Sequence, residues 1–212
     1  MTKVFMTCRE ESGQARPSQG HGDYKVSDAL RLIPHNYYSS FIAMSYLRWS
    51  KPELIPSTLA PYIERTFISS PSGPLELLSA YPPTSYTGPA KSPFFFQHGG
   101  FGHASVWLEY MSFLSQVHNI PCYAISTRGH GFSWYPSWFR MVYGTSKRKL
   151  ADDLVTGIKY AQQDQEKKTG KRMDIVLVGH SSGGGLAQII LDAKDVYVAG
   201  LVLLAAIPCY GS

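Results

Sequence analysis

From Asp174 to Gly185 the chain reads Asp-Ile-Val-Leu-Val-Gly-His-Ser-Ser-Gly-Gly-Gly: a short apolar run, then Gly-x-Ser-x-Gly, then a helical pattern. This is the sequence form of a nucleophile elbow, which pushes a serine hydroxyl out of a sheet on a sharp turn. Such a turn strains the backbone and leaves no room for side chains two residues to either side, a need that Gly179 and Gly183 meet. It predicts Ser181 at a positive φ, between a strand and a helix. The helix after Ser181 would aim free N–H groups, and the positive end of its dipole, at a developing oxyanion. Gly184 and Gly185 would let that helix approach the sheet closely. The pentapeptide alone recurs by chance in chains rich in Gly and Ser. Its place between an apolar strand and an amphipathic helix makes it specific.

A second glycine cluster, His98-Gly99-Gly100-Phe101-Gly102, directly follows the apolar run Pro93–Gln97. Glycines suit a plain strand-to-helix turn. They also permit the close backbone approach that a substrate oxygen needs. On the latter reading the N–H of Gly100, with Phe101 as the neighbouring candidate, joins the N–H of Ser182 in an oxyanion hole.

An elbow serine needs a base, yet all seven histidines lie at or before His180. His180 is adjacent to Ser181 and cannot easily turn back to its hydroxyl. His103 and His130 sit in loops on the same side of the expected sheet, and neither is expected to serve as the base. Without one, a serine hydroxyl is a poor nucleophile at neutral pH. Roughly a million-fold of triad function would be missing.

The elements that must position these residues follow from periodicity. Residues 1–23 are polar, as in a disordered tail. Residues 27–49 turn aromatic and aliphatic, with a rough helical stripe through Tyr38, Phe41, Ile42 and Leu47. A tail and an aromatic helix thus form an N-terminal extension over 1–60, followed by an α/β core over 61–212. In the core, Ile63–Ser70 and Leu75–Tyr81 form a hairpin across Pro71-Ser72-Gly73-Pro74. Val106, Trp107, Tyr110, Phe113, Leu114 and Val117 are read as the apolar face of a helix. Cys122–Ser126 is a strand, and a helix runs from Ser146 to about Gln163, with Gly170 as its stop. Ile175–Val178 is a strand, Gly184–Ala193 a helix and Val198–Ala206 a strand. Strands alternating with helices predict a mostly parallel sheet with helices on both faces.

Composition bounds the function. The chain has 212 residues, 44% hydrophobic, enough for one core. It carries no apolar run long enough to span a bilayer and no secretory pattern at Met1–Glu11. Three widely spaced cysteines, Cys8, Cys122 and Cys209, fit free thiols in a reducing compartment, hence a cytoplasmic expectation. No Cys/His spacing resembles a metal site. The net charge of +5 comes partly from Lys147-Arg148-Lys149 and Lys167-Lys168, which read as solvated helix ends. They lack the interleaved aromatics of a nucleic-acid surface. A nucleotide-binding domain is disfavoured, because Gly-x-Gly-x-x-Gly is absent after the first strands.

Three motifs together carry a family resemblance. Residues from about Tyr62 to Ala206, about two-thirds of the chain, resemble the first six strands of an α/β-hydrolase. Phe94–Gly102 is similar to that family's His-Gly oxyanion loop. Arg128-Gly129-His130-Gly131-Phe132-Ser133 is similar to its Arg-Gly-x-Gly-x-Ser segment, although Ser126 stands where an aspartate is frequent. Gly179–Gly183 matches its elbow. The resemblance implies hydrolysis of a small-molecule ester or related acyl bond through an acyl-Ser181 intermediate, with no cofactor. It also implies a triad acid and then a histidine after Ser181, and neither follows. Asp192 and Asp195 precede the sixth strand, at the wrong end of the sheet. The expectation is therefore an α/β-hydrolase fold truncated after about the sixth strand. Such a chain is either a catalytically incomplete esterase- or lipase-like serine hydrolase or a non-enzymatic remnant binding an acyl ligand or partner protein. Val198–Ala206 is apolar on both faces, a pattern expected of a strand covered on both sides and paired on both edges.

Overall fold

The computed structural model describes residues 58–208. The tail and aromatic stripe expected over 1–60 therefore fall outside the described residues, apart from 58–60.

Six strands form one mixed sheet: β1 (Ile63–Ser70), β2 (Gly73–Ala80), β3 (Phe94–Gln97), β4 (Cys122–Ile125), β5 (Val176–His180) and β6 (Gly200–Leu204). Their spatial order is β1-β2-β4-β3-β5-β6. The β1–β2 hairpin is antiparallel, β2 joins β4 antiparallel, and β4, β3, β5 and β6 run parallel.

The central strands β3, β4 and β5 are largely apolar because both of their faces are covered. Phe95, Tyr123, Ile125 and Leu177 turn to one side, where they pack with Leu154 and Ile158 of α3 (Lys147–Thr169) and Ala187 and Ile190 of α4 (Ser182–Asp192). Phe96, Cys122, Ala124 and Val178 turn to the other, against Ala104, Trp107 and Met111. The alternation within each strand is the period of two that a pleated strand imposes.

The second layer is a 3-10 turn (Ala104–Trp107) continuing into α1 (Leu108–Gln116), and its phase differs from expectation. Val106, Tyr110, Phe113 and Val117 are each more than half exposed, whereas Ala104, Trp107, Met111 and Ser115 are buried. Trp107 stacks on Phe96 at 4.9 Å and fixes that phase. Met111 and Ser115 then follow at helical spacing on the same face.

α3 starts as expected, with the Ser146 hydroxyl accepting from the Lys149 N–H at 3.3 Å. It runs six residues past Gln163, to Thr169, and stops where Gly170 takes a left-handed conformation at φ 67°. A short helix the sequence did not suggest, α2 (Trp138–Gly144), precedes it. β6 pairs with β5, and Val202, Leu203 and Leu204 are 36–43% exposed. No helix of the described residues is long and apolar enough to cross a membrane.

Candidate active site

The parallel pairing of β3 with β5 sets Gln97 opposite Gly179. The loop after β3 and the turn after β5 thus leave the sheet side by side, at the carboxyl ends of the strands. Open α/β sheets bind ligands there.

Ser181 joins β5 to α4 at φ 53°, ψ −124°, the positive-φ geometry its glycine frame predicts. Its backbone is held from three directions. Its N–H donates to the Leu204 carbonyl at 3.0 Å, and its carbonyl accepts from Gly184 and Ile207, each at 3.0 Å. The frame tolerates no side chain. A Cβ on Gly179 would lie 2.7 Å from the Gly184 Cα, and one on Gly183 would overlap the His98 carbonyl oxygen. Ser182 opens α4, so its N–H is one of the donors a helix start leaves free.

The His98–Gly102 loop lies against this turn. A Cβ on Gly99 would sit 3.0 Å from the Ser181 Cβ, and one on Gly100 would sit 3.3 Å from the Ser182 Oγ. Gly99 is buried, Gly100 is exposed and Phe101 projects fully into solvent. The structure thus sets Gly99 beside Ser181 and Gly100 beside Ser182, and Phe101 follows with its ring in solvent.

Among the described residues, His98, His103 and His130 each hold other partners. His98 is 2% exposed, and its Nε2 accepts from the Thr127 N–H at 3.2 Å. Its Nδ1 therefore carries the proton, donated to the Gly99 carbonyl at 2.7 Å. Burial, helped by the nearby His130, pushes its pKa down to about 3, so the ring is neutral. His103 caps the 3-10 turn, its Nδ1 accepting from the Ser105 N–H at 3.3 Å. His130 reaches the Gly100 carbonyl through Nε2 at 2.9 Å. His180 is exposed and lies edge-on to Trp107 at 6.4 Å. Among the described residues, no histidine shares a hydrogen bond with the Ser181 hydroxyl, and no group of three or more His, Cys, Asp or Glu could hold a metal ion.

Two buried carboxylates that sequence reasoning missed, Asp153 and Glu76, hold the loop after β4. Arg128 grips Asp153 of α3 through Nε at 2.8 Å and Nη2 at 2.6 Å, and this bond raises the Arg128 pKa above its ordinary value. Glu76 of β2 accepts from the Ser126 hydroxyl at 2.7 Å, the Phe132 N–H at 2.9 Å and Arg65 Nε at 2.9 Å. A signal existed for Asp153: it falls on the same helical face as the predicted core residues Leu150 and Leu154, where a charge must be paired. Two surface hollows of about 420 and 400 Å³ lie beside α1 and α3, and neither is lined by site residues.

The sequence profile of the alpha/beta hydrolase family matches residues 94–212. No curated protein matches the sequence. Among solved structures, an alpha/beta hydrolase from Novosphingobium aromaticivorans is 21% identical, with a TM-score of 0.51 over 67% of this chain and 44% of its own. An epoxide hydrolase gives 21% and 0.51, covering 69% and 43%. An esterase from Exiguobacterium antarcticum gives 21% and 0.50, covering 66% and 45%. At these identities the likeness is one of fold, and this chain spans less than half the length of each of these structures.

Proposed function

The chain belongs to the alpha/beta hydrolase family, and we propose that it is built for serine-dependent acyl transfer of the esterase or lipase type. One observation carries this reading: Ser181 is held at φ 53° on the strand-to-helix turn, with the Gly99–Gly100 backbone packed against it. A non-glycine residue keeps such a conformation only where its surroundings enforce it.

In the proposed reaction, Ser181 Oγ attacks the carbonyl carbon of a small-molecule ester. The N–H of Ser182 and that of Gly100 or Phe101 receive the developing oxyanion. The carbon–oxygen bond to the alcohol breaks, the alcohol leaves with a proton, and water releases the acid from the acyl-serine. Serine chemistry favours an acyl substrate over an epoxide. Attack on an epoxide would form an ether, which offers water no carbonyl and would not turn over. The reaction draws on no cofactor. The sparse, widely spaced cysteines support a cytoplasmic site of action.

A second reading, a non-enzymatic binder of an acyl ligand or partner protein, is favoured by the occupation of His98, His103 and His130 in other contacts. A fluorophosphonate probe with mass-spectrometric mapping separates the two. An adduct on Ser181 that vanishes in Ser181→Ala supports the hydrolase reading. A folded chain without an adduct supports the binder.

A further inference from the structure

We propose that His130 is a positioning residue for the oxyanion loop: its Nε2–H holds the Gly100 carbonyl and thereby aims the N–H of Phe101. This rests on the serine-hydrolase reading of the same site.

The Gly100 carbonyl oxygen can only accept, so at 2.9 Å the His130 Nε2 must carry the proton. Nδ1 lies 3.0 Å from the Arg128 carbonyl oxygen, which also only accepts, and 3.2 Å from the Thr127 hydroxyl, so the ring is fixed at both ends. A trans peptide is planar, with its C=O and N–H pointing in opposite directions. Fixing the Gly100 oxygen therefore fixes the direction of the Phe101 N–H. The same logic applies one peptide earlier. The Gly99 oxygen accepts from His98 Nδ1 at 2.7 Å and from the Gly102 N–H at 3.0 Å, which sets the direction of the Gly100 N–H.

Two consecutive peptides of a glycine-rich loop are thus each held by one imidazole. The two rings lie 4.8 Å apart, and both are anchored to Thr127, whose N–H donates to His98 Nε2 at 3.2 Å. The need for such anchors follows from the sequence. Gly99 and Gly100 have almost no intrinsic backbone preference. Gly100 is exposed, and Phe101 buries nothing that would hold the segment. Without His130 the Gly100–Phe101 peptide is free to rotate, and preorganisation of the donors is lost.

The test compares His130→Ala, His130→Asn and His130→Gln with wild type. A Gln amide nitrogen can reach the Gly100 oxygen as Nε2 does. Asn is shorter, and its amide reaches only the Nδ1 partners, Thr127 and Arg128. Two quantities are measured on the full chain: fluorophosphonate inactivation of Ser181, split into initial binding and the maximal rate, and the amide ¹H–¹⁵N shift of Phe101. The expected result is a maximal rate about ten- to a hundred-fold lower in Ala and Asn, with initial binding unchanged. Gln should restore the rate, and the Phe101 shift should move in Ala and Asn but stay near wild type in Gln. Equal behaviour of Asn and Gln, or an unmoved Phe101 amide in Ala, overturns the proposal. If wild type itself is not labelled, the serine-hydrolase reading fails, and the amide shifts alone decide the role of His130.

Discussion

The hydroxyl of Ser126 donates to Oε2 of Glu76 at 2.7 Å, joining the loop after β4 to the neighbouring strand β2. Glu76 is fully buried, and a Cβ on Gly131 would lie 2.5 Å from the same oxygen. Where the family often places an aspartate, this chain places a hydroxyl, and the carboxylate comes from β2. Ser126→Asp should therefore set two carboxylates together and destabilise the fold, and Glu76→Gln should relieve much of that loss. Urea unfolding of both single variants and the double should show a coupling of about 1–3 kcal/mol. Additive effects would contradict this exchange of roles.

The elbow frame separates glycines that are required from one that is not. Gly183→Ala would push a methyl into the His98 carbonyl, with the Gln97 carbonyl 2.9 Å away, and neither backbone atom can yield cheaply. It should cost more than about 3 kcal/mol in chemical denaturation. Gly185→Ala meets only the Ile207 carbonyl at 3.3 Å, and alanine's better helix propensity offsets that contact. It should stay within about 1 kcal/mol of wild type. Similar losses at both positions would show that close approach at Gly183 is not the constraint.

His98 makes stability depend on pH. Its pKa falls from 6.5 to about 3 on folding, because the ring is buried. Between those values the unfolded chain binds a proton that the folded chain does not, so stability drops as pH falls through that window. The slope approaches about 1.4 kcal/mol per pH unit. His98→Asn should be less stable at pH 7 but show a shallower decline below pH 6.5. An unchanged slope would mean that His98 is protonated in the native state.

The parts of the fold that rest on local pattern were legible in the sequence. The strands were, because burial on both faces makes Phe94–Phe96 and Ile175–Val178 continuously apolar. The Ser181 turn was, because glycine spacing encodes its sterics. Parts that depend on distant partners were not. Nothing local reveals that Glu76 meets Ser126 or that Arg128 meets Asp153, pairs 50 and 25 residues apart. The phase of α1 was misread because Tyr110 and Phe113 are apolar enough to suggest a buried face, while Ser115 is buried through packing that hydropathy does not show.

The partners held by His98, His103 and His130 predict weak turnover. While His103 and His130 keep their present partners, a short-chain nitrophenyl ester should be hydrolysed slowly, with Ser181 and the loop donors acting alone. Any residual activity should vanish in Ser181→Ala. Rapid hydrolysis that depends on Ser181 would require His103 or His130 to leave its present partner and act as the base.

The central claim is that Ser181 and the His98–Gly102 loop form one acyl-transfer site. A crystal structure of the fluorophosphonate adduct tests it most directly. The account predicts phosphorus bonded to Ser181 Oγ, with the phosphonyl oxygen about 3 Å from the N–H of Ser182 and from that of Gly100 or Phe101. An adduct on another residue would contradict it, as would a phosphonyl oxygen turned to solvent with neither loop donating to it.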